Sequence, residues 1–323
     1  MLLVCPAAPG SRTGNRATAL RWAAKLRAMG HRVRIGEEYL GQPCDILVAL
    51  HATKSAASVR RSFETNPKRP IIVALTGTDL YRDLPENPKA QQSLAVAWRI
   101  VVLQPLAIAR IPETWRRKAR VIYQSAVPLA NPNPPDSDHF DICVLGHLRD
   151  EKGPFRAAAA SRLLPASSRV RILQAGRALT PGYEQDARHE QSENPRYRWL
   201  GELSRTEARR LLASSRALAL TSTMEGGANV VSEAVVNAVP VLASRIDGNI
   251  GLLGRDYPAC YDVGDTSALA ELMSRMERDP AFQQELKNCS KRLAPLFSPE
   301  RELESWRDLL ESVEPIPGDN MAT

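Results

Sequence analysis

Aromatic residues are scarce, only 5% of a chain of 323 residues. With no RNA-binding motif present, that scarcity argues against a nucleic-acid platform, which interleaves stacking rings with basic residues. Cysteine is sparse too. Cys5, Cys44, Cys143, Cys260 and Cys289 are odd in number and scattered, without a CxxC spacing, and the three in or beside strand-like runs read as reduced core thiols. No apolar run reaches the roughly twenty residues of a membrane span. The best stretch, 93–109, is cut by Arg99 and Gln104 and reads as helix, strand, helix. MLLVC is too short for a signal peptide and leads directly into a loop. A soluble cytoplasmic protein without stable membrane association is expected. Acidic residues fall short of basic ones, 36 against 43, for a net charge of +7. Much of that surplus reads as solvated helix positions, such as RRSF at 60–63 and WRRKAR at 115–120. Small anionic ligands explain it better than nucleic acid.

What is present is regular alternation. MLLVC, HRVRI, DILVAL, PIIVAL, RIVVL and ARVIY alternate with amphipathic stretches. After a proline-rich passage the pattern restarts with FDICVLG, RVRILQAG, RALALTS and VPVLAS. Buried β-branched strands alternating with helices predict an α/β protein of two Rossmann-like, doubly wound domains facing a cleft. The length suits two domains. The expected division is 1–130 for the first domain, 131–138 for a linker and 139–297 for the second. A helix over 298–315 begins with Ser-Pro-Glu and carries Trp306, Leu309 and Leu310 on one face. The last residues, 316–323, read as a disordered tail.

Two motifs carry chemistry. In EGGANVVSE, Glu225 and Glu233 stand eight positions apart, between the apolar run RALALTS and the helical pattern NVVSEAVVNA. A strand, a Gly-Gly turn and a helix start gather backbone N–H groups and two carboxylates, which suits phosphate and sugar hydroxyls. Upstream, GHLRDEKG at 146–153 follows the strand-like FDICVL and sets Arg149 and Lys152 before a helix, a seat for a diphosphate. Together the blocks resemble the GT-B glycosyltransferases of the GT4 family, in which they hold a UDP-sugar. The resemblance continues through VPVLASRIDGNIGLLG and YDVGDTSALAELM. It implies His147, Arg149, Lys152, Gly226 and Gly227 for the donor diphosphate. It implies Glu225, Gly227, Ala228 and Asn229 for the hexose, and Glu233 for the ribose. It also implies a C-terminal helix that crosses back to the first domain. His147 stands where many members have Arg, and either faces phosphate or packs against the loop.

In the first half, PAAPGSRTGNRATALRW offers a Gly-rich loop and a helix start, with Thr13 or Asn15 as cap. HATKSAASVRR and TGTDLYRDL place His51, Lys54, Thr76, Thr78 and Asp79 beyond strand ends, where open α/β sheets bind ligands. His51 by itself reads as a packed or capping residue. These phrases, with NPRYRWLGELSR and MEGGANVVSEAVVNAVPVLASRIDGN, are similar to the selenosugar synthases of selenoneine biosynthesis, nearly end to end. That resemblance implies attack of selenophosphate on UDP-N-acetylglucosamine or UDP-glucose, giving a 1-selenosugar, UDP and phosphate. The alternative is an ordinary GT4 enzyme with a sugar, lipid or metabolite hydroxyl as acceptor. Gly14, Asn15, Arg16, Lys54 and Thr78 are expected at the acceptor anion. Asp79, Lys152 and Glu225 are the expected catalytic set, with Asp79 either orienting a hydroxyl or capping a helix. No metal and no cofactor is expected, since Asp136 and Asp138 lie in the proline-rich passage rather than after a buried strand. The implied partners are the UDP-sugar, selenophosphate and other enzymes of the selenoneine pathway.

Overall fold

Residues 1–313 are described by a computed structural model, and the expected tail at 316–323 lies outside them. Two compact units divide the chain. Among the described residues the first combines Met1–Gln124 with those from Pro299 to Val313, and the second is Ser125–Ser298.

The first unit is built on β1 (Leu2–Val4), β2 (Arg34–Gly36), β3 (Leu47–Leu50), β4 (Ile71–Ala74), β5 (Arg99–Val102) and β6 (Ala119–Val121). All pairings are parallel, in the order β2-β1-β3-β4-β5-β6. Period-two alternation sends side chains to two separate cores. Leu2, Val4, Leu47, Ala49, Ile71 and Val73 fill one, against Leu80, Leu84 and Leu94. Leu3, Val48, Leu50, Ile72 and Val101 fill the other, against Trp22, Leu26 and Trp306.

The second core is closed by two helices far apart in sequence, Gly14–Ala28 and Pro299–Glu311. Trp22 and Trp306 meet edge to face with centroids 5.0 Å apart. Glu302, fully buried, accepts from Trp22 Nε1 at 2.8 Å and Arg21 Nε at 3.1 Å, with Lys25 Nζ at 3.6 Å. The terminal helix is therefore an integral wall of the first unit. WRRKAR is solvated, with Arg116, Arg117 and Arg120 exposed, but it is not one helix. A single short helical turn, Glu113–Arg116, gives way to the edge strand β6. The cations there are held by carbonyls, Arg116 on Ile111 O at 2.8 Å and Lys118 on Ala95 O at 2.8 Å.

The second unit contains β7 (Phe140–Leu145), β8 (Val170–Ala175), β9 (Tyr197–Trp199), β10 (Ala217–Leu220), β11 (Val241–Ser244) and β12 (Cys260–Tyr261). They too are parallel, ordered β12-β11-β10-β7-β8-β9. Strand order reverses between β7 and β10, so the loops after those strands flank the crevice where such sheets bind ligands. In the first sheet the reversal falls between β1 and β3. Residues 131–138 are not a free spacer. Asp136 accepts from Arg171 Nη2 at 3.0 Å, and its neighbour Asp141 takes Arg171 Nε at 2.7 Å. The N–H groups of His139 and Asp138 on Asp136 hold its carboxyl down to about 2.

Candidate active site

In the second unit, the loop after β7 and the loop after β10 are stitched together. Thr221 Oγ1 donates to Lys152 O at 2.8 Å, and Thr223 N donates to Glu151 O at 2.9 Å. Those bonds bring Lys152 onto Glu225, 73 positions away, where the ammonium and Oε1 form a direct ion pair. Ser222 Oγ donates to the same carboxylate oxygen at 2.7 Å. Two close approaches make the arrangement possible. Gly153 has φ +52, and a Cβ there would lie 2.5 Å from Thr221 O. A Cβ on Gly248 would lie 2.0 Å from Glu225 O. Only glycine fits at either position.

The turn after Glu225 opens into the helix Asn229–Val236, whose cap Ala228 makes no side-chain capping bond. Its leading N–H groups give the turn positive character beside Gly226 and Gly227. Glu233 lies one turn further along that helix, with a carboxylate 19% exposed and 4.0 Å from Arg205. Arg149 is more exposed, and its Nε sits 3.8 Å from Glu151. His147 accepts the backbone N–H of Arg177 on Nδ1 at 3.2 Å, which ties the loop after β7 to the loop after β8. That bond favours the packing alternative for this ring.

The first unit gathers a different set. Thr13 is the cap of Gly14–Ala28, accepting from Arg16 N, so Gly14, Asn15 and Arg16 form the first helical turn. Lys54 lies on the loop after β3. Thr78 and Asp79 follow β4, where the chain forms a turn of π-helix at Asp79–Asp83. These loops leave the carboxyl ends of three neighbouring strands, β1, β3 and β4. Asp79 departs from its expected catalytic role. Its side chain is fully buried, and it accepts backbone N–H groups from Ala52 at 2.9 Å, Thr76 at 2.8 Å and Gly77 at 2.9 Å. A carboxylate so engaged organises two loops rather than meeting a substrate. Among the described residues neither Arg16 nor Lys54 has a carboxylate partner. The Arg16 charge acts on the Cys5 thiol at the end of β1, and the Lys54 charge on the His51 ring at the end of β3.

The profile of the family described as glycosyl transferases group 1 matches residues 129–293, about half of the chain. This chain belongs to the group 1 glycosyltransferases. Solved structures share the fold over almost its whole length. HepE of Anabaena, in complex with UDP and glucose, is similar with a TM-score of 0.74 at 16% identity, covering 96% of this chain and 99% of that one. Sucrose-phosphate synthase from Thermosynechococcus elongatus gives 0.75 at 14% identity, with 97% and 98% covered. A UDP-forming α,α-trehalose-phosphate synthase from Burkholderia xenovorans, in complex with glucose-6-phosphate, gives 0.66 at 14% identity, with 93% and 77% covered. The fold of this glycosyltransferase is GT-B, with two Rossmann-like parallel-sheet units.

Sequence alone does not single out Thr221, Ser222 or Gly248. The available signal is the polar pair that ends RALALTS and the Asp-Gly-Asn that opens the helix Asp247–Leu253. Among the described residues no group of three or more His, Cys, Asp or Glu side chains could hold a metal ion. No described helix is long and apolar enough to cross a membrane.

Proposed function

We propose that this group 1 glycosyltransferase moves a hexosyl group from a UDP-sugar, UDP-N-acetylglucosamine or UDP-glucose, to selenophosphate. The observation that carries the acceptor class is the pair of cations, Arg16 and Lys54, which stand at the carboxyl ends of the adjacent strands β1 and β3 and have no carboxylate partner among the described residues. A sugar hydroxyl acceptor needs a general base more than it needs charge. A small polyanion needs cations, and selenophosphate is already a nucleophile at neutral pH. The end-to-end resemblance of HATKSAASVRR and TGTDLYRDL to selenosugar synthases names the anion. For the donor, HepE was solved with UDP-glucose, and its fold is the fold of this chain.

In this scheme Lys152, Arg149 and the N–H groups near Gly226 and Gly227 hold the diphosphate and take up the charge of departing UDP. Glu225, steadied by Ser222 and Lys152, accepts hydrogen bonds from the hexose hydroxyls, and Glu233 accepts those of the ribose. Selenium attacks C1, the bond from C1 to the UDP oxygen breaks, and the pair of electrons leaves on UDP. Water then cleaves the phosphorus–selenium bond, giving phosphate and the 1-selenosugar. Binding two anionic substrates in register supplies most of the acceleration. No divalent ion is called for, and turnover is expected to withstand a chelator. Five free cysteines, Cys5, Cys44, Cys143, Cys260 and Cys289, accord with a cytoplasmic setting.

The test is anaerobic incubation with UDP-N-acetylglucosamine or UDP-glucose and selenophosphate, read by mass spectrometry. A selenium-bearing hexose with stoichiometric UDP is the expected result. Its absence while UDP still binds overturns the acceptor and returns the protein to hydroxyl-directed transfer.

A further inference from the structure

His51 is the one buried histidine in the acceptor loops, and its backbone is strained. Its φ of +71° lies in the left-handed region that non-glycine residues avoid. The residue is only 2% exposed. Strain at a strand end persists where surrounding contacts over-determine it, and here they can be named. The backbone N–H of His51 donates to Ala74 O at 2.8 Å, and its carbonyl accepts from Ser55 N at 3.0 Å. The ring is gripped at both nitrogens. Lys54 N donates to Nδ1 at 3.3 Å, and Nε2 lies 3.0 Å from Thr78 Oγ1.

Those two bonds fix the proton. Nδ1 faces an N–H group and must present its lone pair, so the proton of the neutral ring sits on Nε2. Nε2–H then donates to Thr78 Oγ1. Among the described residues the Thr78 hydroxyl bonds to the imidazole and to nothing else. Its own hydrogen is left to be donated. Asp79 Oδ2, 3.9 Å from Nδ1, is turned to Ala52 N and is not the partner of the ring. Burial outweighs the pull of Asp79 and keeps the imidazole below the ordinary histidine value, which favours the neutral form.

We infer that His51 is a positioning residue that locks Thr78 as an outward hydrogen-bond donor, which favours an acceptor oxyanion over a group that can only donate. The inference rests on the acceptor assignment above, and it deepens it. The strained backbone sets Nε2 in line with Thr78, and the imidazole selects the direction of a hydroxyl that would otherwise rotate. A group with only hydrogens to offer would meet the hydrogen of Thr78 and lose this contact.

Two measurements on the full-length protein test it. Nitrogen-15 NMR of the histidine rings, with His51 assigned by loss of its signals in His51→Asn, reads the tautomer directly. Asparagine is chosen because it tolerates positive φ. The expected spectrum is a neutral His51 ring protonated at Nε2, with that proton exchanging faster in Thr78→Val. A ring protonated at Nδ1, or charged near neutral pH, overturns the inference whatever the acceptor is. The second measurement is a double-mutant cycle on the acceptor KM. Thr78→Val and His51→Asn are each expected to raise it about 10-fold, with the double variant no worse than Thr78→Val alone and UDP affinity unchanged. Multiplicative losses would show that His51 does not act through Thr78. If the wild type makes no selenosugar, the acceptor assignment fails, while the nitrogen spectrum still decides the tautomer.

Discussion

The candidate site loops of the two units use charge in opposite ways. In the second, Lys152 and Glu225 satisfy one another across 73 residues, with Ser222 completing the group. In the first, the buried carboxylate of Asp79 is spent on backbone N–H groups, and among the described residues the cations Arg16 and Lys54 keep no carboxylate. On the proposed assignment, a ligand of the second unit inserts itself into an existing ion pair and gains a site already in shape. A ligand of the first unit would supply the missing negative charge itself. The proposal thus separates a seat that recognises shape from a seat that recognises charge.

The strongest way to break that contrast is to remove the paired cation. Lys152→Met is expected to lower kcat by about 10²- to 10³-fold, because the charge developing on UDP loses its counterion. It also leaves Glu225 unpaired, so combining it with Glu225→Gln should restore folding stability but not turnover. Thermal melts alongside steady-state rates distinguish the two effects. Removing an unpaired cation should act elsewhere. Lys54→Ala or Arg16→Ala is expected to raise the selenophosphate KM about 10- to 100-fold while UDP affinity, measured by calorimetry, stays near the wild type. Equal loss of both affinities would erase the contrast. Glu233→Gln sharpens the other side, with UDP binding weakened by about 10-fold and the acceptor KM held.

A smaller effect follows from protonation. Burial holds His51 below its ordinary value of 6.5 in the folded protein. As pH falls through 6.5 the unfolded chain binds a proton that the folded ring refuses, so stability declines on acidification. The slope is up to about 1.4 kcal/mol for each pH unit until the folded ring also titrates. His51→Asn should remove this part of the slope in melts between about pH 7.5 and about pH 5.5, one unit each side of the histidine midpoint. An unchanged slope would place the acid sensitivity in other groups.

Alternating strands and helices were legible because parallel strands are apolar on both faces, and LVAL, IIVA and ALAL are wholly buried. The helix carrying Trp306 was legible from its period and its Ser-Pro-Glu start. Glu225 and Glu233 stood out because a strand, a glycine turn and a helix start occupy one short segment. What sequence could not supply was pairing across distance. Nothing in GHLRDEKG says that its lysine meets Glu225, and Gly248 matters only through the Glu225 backbone, which approaches from the loop after β10. Asp79 misled for a related reason. A carboxylate beyond a strand end looks the same on paper whether it faces solvent or gathers three amide hydrogens beneath the surface.

The clasp between Glu302 and the pair Trp22 and Arg21 spans about 280 positions. During synthesis the first sheet emerges early, yet the helix that covers one of its faces leaves the ribosome only after the whole second unit has been made. A chain halted before Pro299 would carry Trp22 and Leu26 with no Trp306 above them. Completion of the earliest-made unit thus waits on the latest-made helix, and protease digestion of chains stalled on either side of that point should show the first unit becoming resistant only with the longer one.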